Sequence, residues 1–142
     1  MAPQLSTLAP ELSVAGRLDR ADIDTLAGAG VRTIRNNRPD GEDPGQLSAV
    51  EARRIAEARG IAYYHIPITA GTLSRGDVTA FAAVLQQASS PVVAHCRSGT
   101  RSALLWALTR MHEGADPLPL IAEVARHGID IGDLPAIAAR LR

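Results

Sequence analysis

Two apolar spacings alternate along the chain. Short runs mark strands: Val31-Arg32-Thr33-Ile34-Arg35 alternates apolar and polar, and Ile61–Ile68 and Pro91–Ala94 are apolar stretches bounded by breakers. Helical spacing fills the gaps. Asp19 reads as an N-cap before Ile23, Leu26 and Ala27, and Gly28 and Gly30 close that helix. Ser48 and Glu51 form a capping-box pattern opening a helix that runs to Arg59, with Gly60 as its C′ residue. Ser74 and Asp77 cap the next, whose Val78, Phe81, Ala82 and Leu85 share a face. From Ser102 to Glu113 the chain is apolar nearly all round, which predicts its most buried helix. Asp116-Pro117 starts a helix with Leu118, Ile121, Ala122 and Ala125 expected to face inward, and Asp133 opens a short last one. Gln4–Thr7 and Leu12–Ala15, on either side of Pro10, read as a small hairpin or edge.

Strands alternating with helices predict an α/β fold: a single three-layer domain over residues 1–142, its sheet mainly parallel with roughly four or five strands. Right-handed crossovers bring the loops Asn36–Gln46 and Thr69–Leu73 and the segment after Ala94 to one rim, where such sheets bind ligands.

Composition narrows the chemistry. Aromatic residues are 3% of the chain and hydrophobic residues 46%, so the core is built from Ala, Leu, Ile and Val. A formal net charge of +0 argues against nucleic-acid or membrane partners recruited by bulk charge. Every cation is arginine, which excludes a Schiff-base lysine and a P-loop lysine. A single cysteine excludes an internal disulfide and a thiol-only metal site, and no cofactor is implied. The opening MAPQLSTLAP carries neither a basic region nor a long apolar run, so no leader is read, and the expectation is a cytoplasmic protein.

That cysteine, Cys96, sits between the Pro91–Ala94 strand and the start of the buried helix, in His95-Cys96-Arg97-Ser98-Gly99-Thr100-Arg101-Ser102. The first N–H groups of a helix lack backbone partners and carry partial positive charge, so a loop over that end cradles an anion and favours a thiolate. Arg101 adds a planar fork suited to an oxyanion. Cys96 and Arg101 are the expected catalytic pair, with Arg97, Ser98, Gly99, Thr100 and Ser102 as the anion-binding loop. Ser102 either bonds the thiolate or caps the helix. Arg38 is a candidate to lean over the site, against the plainer expectation of a surface ion pair with Asp40 or Glu42.

His95-Cys96-x-x-x-x-Arg101-Ser102 resembles two families. The tyrosine phosphatases carry a similar motif one residue longer, and single-domain rhodaneses, which are sulfurtransferases, often read Cys-Arg-Ser-Gly-x-Arg-Ser. From Leu12 to Leu108, with Arg38-Pro39-Asp40-Gly41-Glu42, the chain is similar to the phosphatase-like domain of beta-lactamase hydrolase-like proteins. That resemblance implies a dual-specificity-phosphatase-like fold carrying a rhodanese-length loop, with His95 as a supporting residue that fixes the loop.

The two chemistries differ in their leaving groups. Phosphotyrosine releases a phenol of pKa about 10, and a positioned acid contributes roughly 10²–10⁴ in rate. The phosphatases of this shape supply an Asp after the strand matching Tyr63–Ile68. Here the loop reads Thr69-Ala70-Gly71-Thr72, and Asp77 is better explained as a cap. Sulfite leaves thiosulfate without a proton. The leading expectation is therefore a sulfurtransferase passing sulfane sulfur from a small anionic donor, through a Cys96 persulfide, to an external thiol such as glutathione or a thioredoxin-like protein. The alternatives are a cysteine-dependent phosphatase working through a Cys96 phosphoenzyme, and a non-catalytic anion or persulfide sensor.

Overall fold

The computed structural model describes residues 3–69 and 71–141. Met1 and Ala2 of the opening stretch, Ala70 of the loop read above, and Arg142 lie outside the described residues. Five strands form one sheet: β1 (Leu5–Ala9), β2 (Leu12–Ala15), β3 (Thr33–Asn36), β4 (Ala62–His65) and β5 (Val92–His95), in the order β1-β2-β5-β3-β4. β1 and β2 are the expected hairpin, antiparallel, while β2–β5, β5–β3 and β3–β4 are parallel. β5 is thus the central strand, and all four of its residues are buried.

Six helices cover the sheet: α1 (Arg20–Gly28), α2 (Ala49–Ala58), α3 (Arg75–Gln87), α4 (Thr100–His112), α5 (Pro117–Ala125) and α6 (Leu134–Arg140). Their starts follow the sequence signals. Asp19 and Asp22 form a reciprocal capping box, as do Ser74 and Asp77. Ser48 accepts from the Glu51 N–H, but the Glu51 carboxylate turns to Arg20 and Arg54, so only half of that box exists. β4 stops at His65, shorter than the apolar run that announced it.

Strand alternation splits the core in two. One half packs α4 and Phe81 of α3 against Leu12, Val14, Val92 and Ala94. The other packs Ile23, Leu26, Ile55 and Ala56 of α1 and α2 against Ile34, Tyr63 and Val93. α4 is buried at eight consecutive positions, Ser102 to Thr109, because α3, α5 and α6 pack round it while it lies on the sheet. One expected face is wrong. In α5 the buried residues are Leu120 and Val124, while Leu118 is 72% exposed and Ala122 and Ala125 face solvent. PLPLIAEVA is apolar on every side, so its spacing does not select a face. No helix among the described residues is long and apolar enough to cross a membrane.

Candidate active site

The carboxyl ends of β3, β4 and β5 meet where α4 begins. Cys96 follows β5 directly and is 1% exposed. Its N–H bonds Ala15 O of β2 at 3.3 Å, and its Sγ accepts the Gly99 N–H at 3.1 Å. Gly99 is the N-cap residue of α4 and sits at φ 93°, a left-handed conformation that turns the loop back over the thiol at no steric cost only for glycine. The first helical bond runs from the Ala103 N–H to Gly99 O at 2.9 Å. The N–H groups of Thr100, Arg101 and Ser102 therefore precede any helical partner. Gly16 supports the loop from outside: a Cβ there would lie 3.1 Å from Arg97 O, which also accepts the Arg17 N–H at 3.1 Å.

Arg101 is held by a residue that the sequence offered only within a family motif and as a surface partner for Arg38. Its Nη1 donates to Glu42 Oε2 at 2.7 Å and to Ile68 O at 3.0 Å, and its Nη2 donates to Glu42 Oε1 at 2.9 Å. A guanidinium has five N–H groups. Three are used here, and the two that remain, on Nε and Nη2, share one edge of the plane. That edge is a second fork, free for a tetrahedral anion. The bidentate Glu42 pair raises the Arg101 pKa, and the nearby Cys96 sulfur raises it further. Glu42 in turn is held below the usual carboxylate range by its hydrogen bonds to Arg101, which outweigh the opposing effect of burial, with Arg38 adding a lesser share.

Arg38 does not form a surface pair. Its side chain is 5% exposed, and its Nε meets Glu42 at 3.1 Å while Nη2 bonds Asp43. Asp40, the other expected partner, instead accepts the Ala49 N–H at the start of α2 at 2.9 Å. Asp43 also pairs with Arg97 at 3.1 Å, with 62% of the Arg97 side chain exposed. One acidic pair, Glu42 and Asp43, thus joins three arginines, one on its own loop and two on the Cys96 loop.

The remaining loop residues divide. Ser98 and Thr100 bond each other through their hydroxyls at 3.2 Å on the accessible side. Ser102 neither bonds the sulfur nor caps the helix: it is fully buried and donates to Asn37 Oδ1 at 3.0 Å, while Gly99 holds the cap position. Asn37 is a further residue missed in the sequence. Its N–H bonds His95 O at 2.8 Å, its O accepts from the Ile68 N–H at 3.1 Å, and its Nδ2 donates to Ile66 O at 3.1 Å. No motif signals it, because its partners lie in three separate segments. His95 is buried, its Nδ1 has no hydrogen-bond partner, and burial pushes its pKa down to about 4, so the imidazole is neutral. Asp77 is confirmed as a cap, its carboxylate on the Ser74 N–H at 2.9 Å. His65 bonds Arg38 O at 2.9 Å. Trp106 is core.

Known proteins resemble this chain in sequence and fold. Residues 4–112 fit the family model of the beta-lactamase hydrolase-like protein, phosphatase-like domain. The beta-lactamase hydrolase-like protein of Agrobacterium fabrum is 36% identical over 121 residues, which cover 84% of this chain and 28% of that protein. The chain thus spans little more than a quarter of that relative's length. A phosphatase candidate from Neisseria meningitidis Z2491, known from its crystal structure, is 31% identical, covers 96% of both chains and superposes with a TM-score of 0.86. Tk-PTP in its active form is 18% identical over 98% of this chain and 97% of its own, with a TM-score of 0.75, a likeness of fold. With a tyrosine-phosphatase-type α/β fold and a match over more than 100 residues, the chain belongs to the family of phosphatase-like domains of beta-lactamase hydrolase-like proteins.

Proposed function

We propose that the protein is a cysteine-dependent phosphatase acting on phosphomonoesters with good leaving groups. The observation that carries this reading is the Arg101 fork. Glu42 occupies one edge of the guanidinium and leaves the other as a bidentate anion site in the loop that folds over the Cys96 sulfur. In the first step the Cys96 thiolate attacks phosphorus. The S–P bond forms and the ester P–O bond breaks, and the alcohol oxygen leaves with the electron pair. Arg101 and the N–H groups of the loop hold the phosphoryl oxygens through the charge build-up. In the second step water attacks phosphorus, releasing inorganic phosphate and the thiolate.

The preference for good leaving groups follows from the carboxylates. Glu42 is kept ionised by two arginines, Asp77 is committed to its cap, and residues 69–72 carry no acid. The departing oxygen takes its proton from water, which suits an aryl oxide or another stable anion better than an alkoxide.

The same absence of an acid, with only four residues between Cys96 and Arg101, favours a second reading. In it the thiolate attacks the outer sulfur of thiosulfate, the S–S bond to sulfite breaks with its electron pair on sulfite, and an external thiol then removes the sulfur from Cys96. Both readings are tested on one preparation by intact mass. Rapid quenching during turnover of an aryl phosphate is expected to show one phosphoryl group on wild type and none on Cys96→Ser. A gain of one sulfur atom after thiosulfate, with no phosphoenzyme, would replace the first reading by the second.

A further inference from the structure

A cleft of about 350 Å³ opens beside the Cys96 loop, on its β2 side. Arg97, Ser98 and Gly99 line it together with Gly16, Arg17 and His127. The volume lies within the range of small-ligand pockets. The ionisable lining is one-sided: two arginines and an imidazole, with no carboxylate among the described residues, in a chain whose acidic and basic residues balance at 15 each. Arg17 is exposed and makes neither an ion pair nor a side-chain hydrogen bond among the described residues. Arg97 pairs with Asp43 through Nε at 3.1 Å, and its terminal nitrogens make no hydrogen bond among the described residues. A Cβ on Gly99 would come within 3.5 Å of the Ile129 side chain, and Arg97 O receives the Arg17 N–H. Arg97–Gly99 both line this cleft and belong to the loop that follows Cys96, so one short segment borders the thiol and the cleft.

We infer that this cleft binds a second anionic group of the ligand held at Cys96, so that the favoured substrates are small molecules with two anionic groups. The inference rests on the phosphatase reading only for calling that ligand a substrate. Guanidinium forks and an imidazole are the donors that recognise phosphate or carboxylate oxygens. Such groups on an otherwise neutral protein discriminate by charge where shape alone would not.

The test is titration calorimetry on Cys96→Ser, which binds without turnover, with butyl phosphate and with the ethanediol, butanediol and hexanediol bisphosphates. At least one bisphosphate is expected to bind about tenfold tighter than butyl phosphate, beyond the factor of about two that two identical groups supply. Adding Arg17→Ala with His127→Gln should abolish the gain, whereas adding Arg126→Ala, an exposed arginine paired with Glu123 outside the cleft, should keep it. No bisphosphate advantage, or an advantage that survives the loss of Arg17 and His127, overturns the inference. An advantage that persists where wild type forms no phosphoenzyme overturns the phosphatase reading and leaves the anion cleft standing.

Discussion

Glu42 works at one remove from the chemistry. Its carboxylate takes one edge of the Arg101 guanidinium and, on the phosphatase reading, leaves the other to the phosphoryl group. Glu42→Gln is expected to lower kcat on an aryl phosphate by about tenfold to a hundredfold, and to weaken competitive inhibition by inorganic phosphate. Unchanged phosphate inhibition would reduce Glu42 to a structural ion pair. His95 has a different signature. Its folded pKa, about 4, lies below its ordinary value of 6.5. Between those values the unfolded chain binds a proton that the folded one refuses. The stabilising effect of a neutral His95 is therefore complete above pH 6.5 and is lost as pH falls toward 4. The loss is on the order of 3 kcal/mol. Glu42 acts in the same direction at lower pH, because its depressed carboxyl must be protonated as its ion pairs break. Urea midpoints across this range should fall for wild type and flatten between pH 6.5 and 4 in His95→Gln.

Among the elements, the junction of β5 with α4 forms the centre of the candidate site. A central buried strand delivers the thiol, and a left-handed glycine starts the helix that faces it. Gly99→Ala places a Cβ where only glycine is relaxed, costing roughly 1–2 kcal/mol. The loop can relieve that strain only by swinging its N–H away from Cys96. Alkylation of Cys96 by iodoacetamide at neutral pH should slow accordingly, and an unchanged rate would mean that the Gly99 N–H does not stabilise the thiolate. α3 shows the limits of pattern reading. Its face meets a buried arginine: Arg35, 1% exposed, lies over the Phe81 ring at 4.8 Å and bonds Ala80 O at 3.2 Å. Strand alternation placed Arg35 correctly but not inside the core, since burial on both faces of β3 is decided by helices from elsewhere in the chain.

For the molecule as a whole, the core is two largely aliphatic layers on the two faces of one sheet, and α4 is the member surrounded by most neighbours. Leu105→Ala, at a fully buried position of α4, should cost about 2–5 kcal/mol. Leu118→Ala, on the exposed side of α5, should stay within about 0.5 kcal/mol of wild type. Equal losses by thermal or urea denaturation would return Leu118 to the inward face first expected for it. The balance of phosphorus against sulfur also belongs at this scale. It depends on what three converging loops place round one sulfur.

Local signals carried far in this chain. Caps at Asp19, Ser48 and Ser74, the alternation of strands with helices and the Cys96–Arg101 spacing were sufficient for the elements, the mainly parallel sheet and the place of the Cys96 loop, because each signal is local in the chain. Tertiary structure alone decided the rest. Glu42 and Arg101 are separated by 59 positions, and Ser102 and Asn37 by 65. Hydrogen bonds across such distances leave no period in the sequence. They exist because parallel crossovers bring loops with unrelated sequences to the same rim, where charge and geometry first become one site.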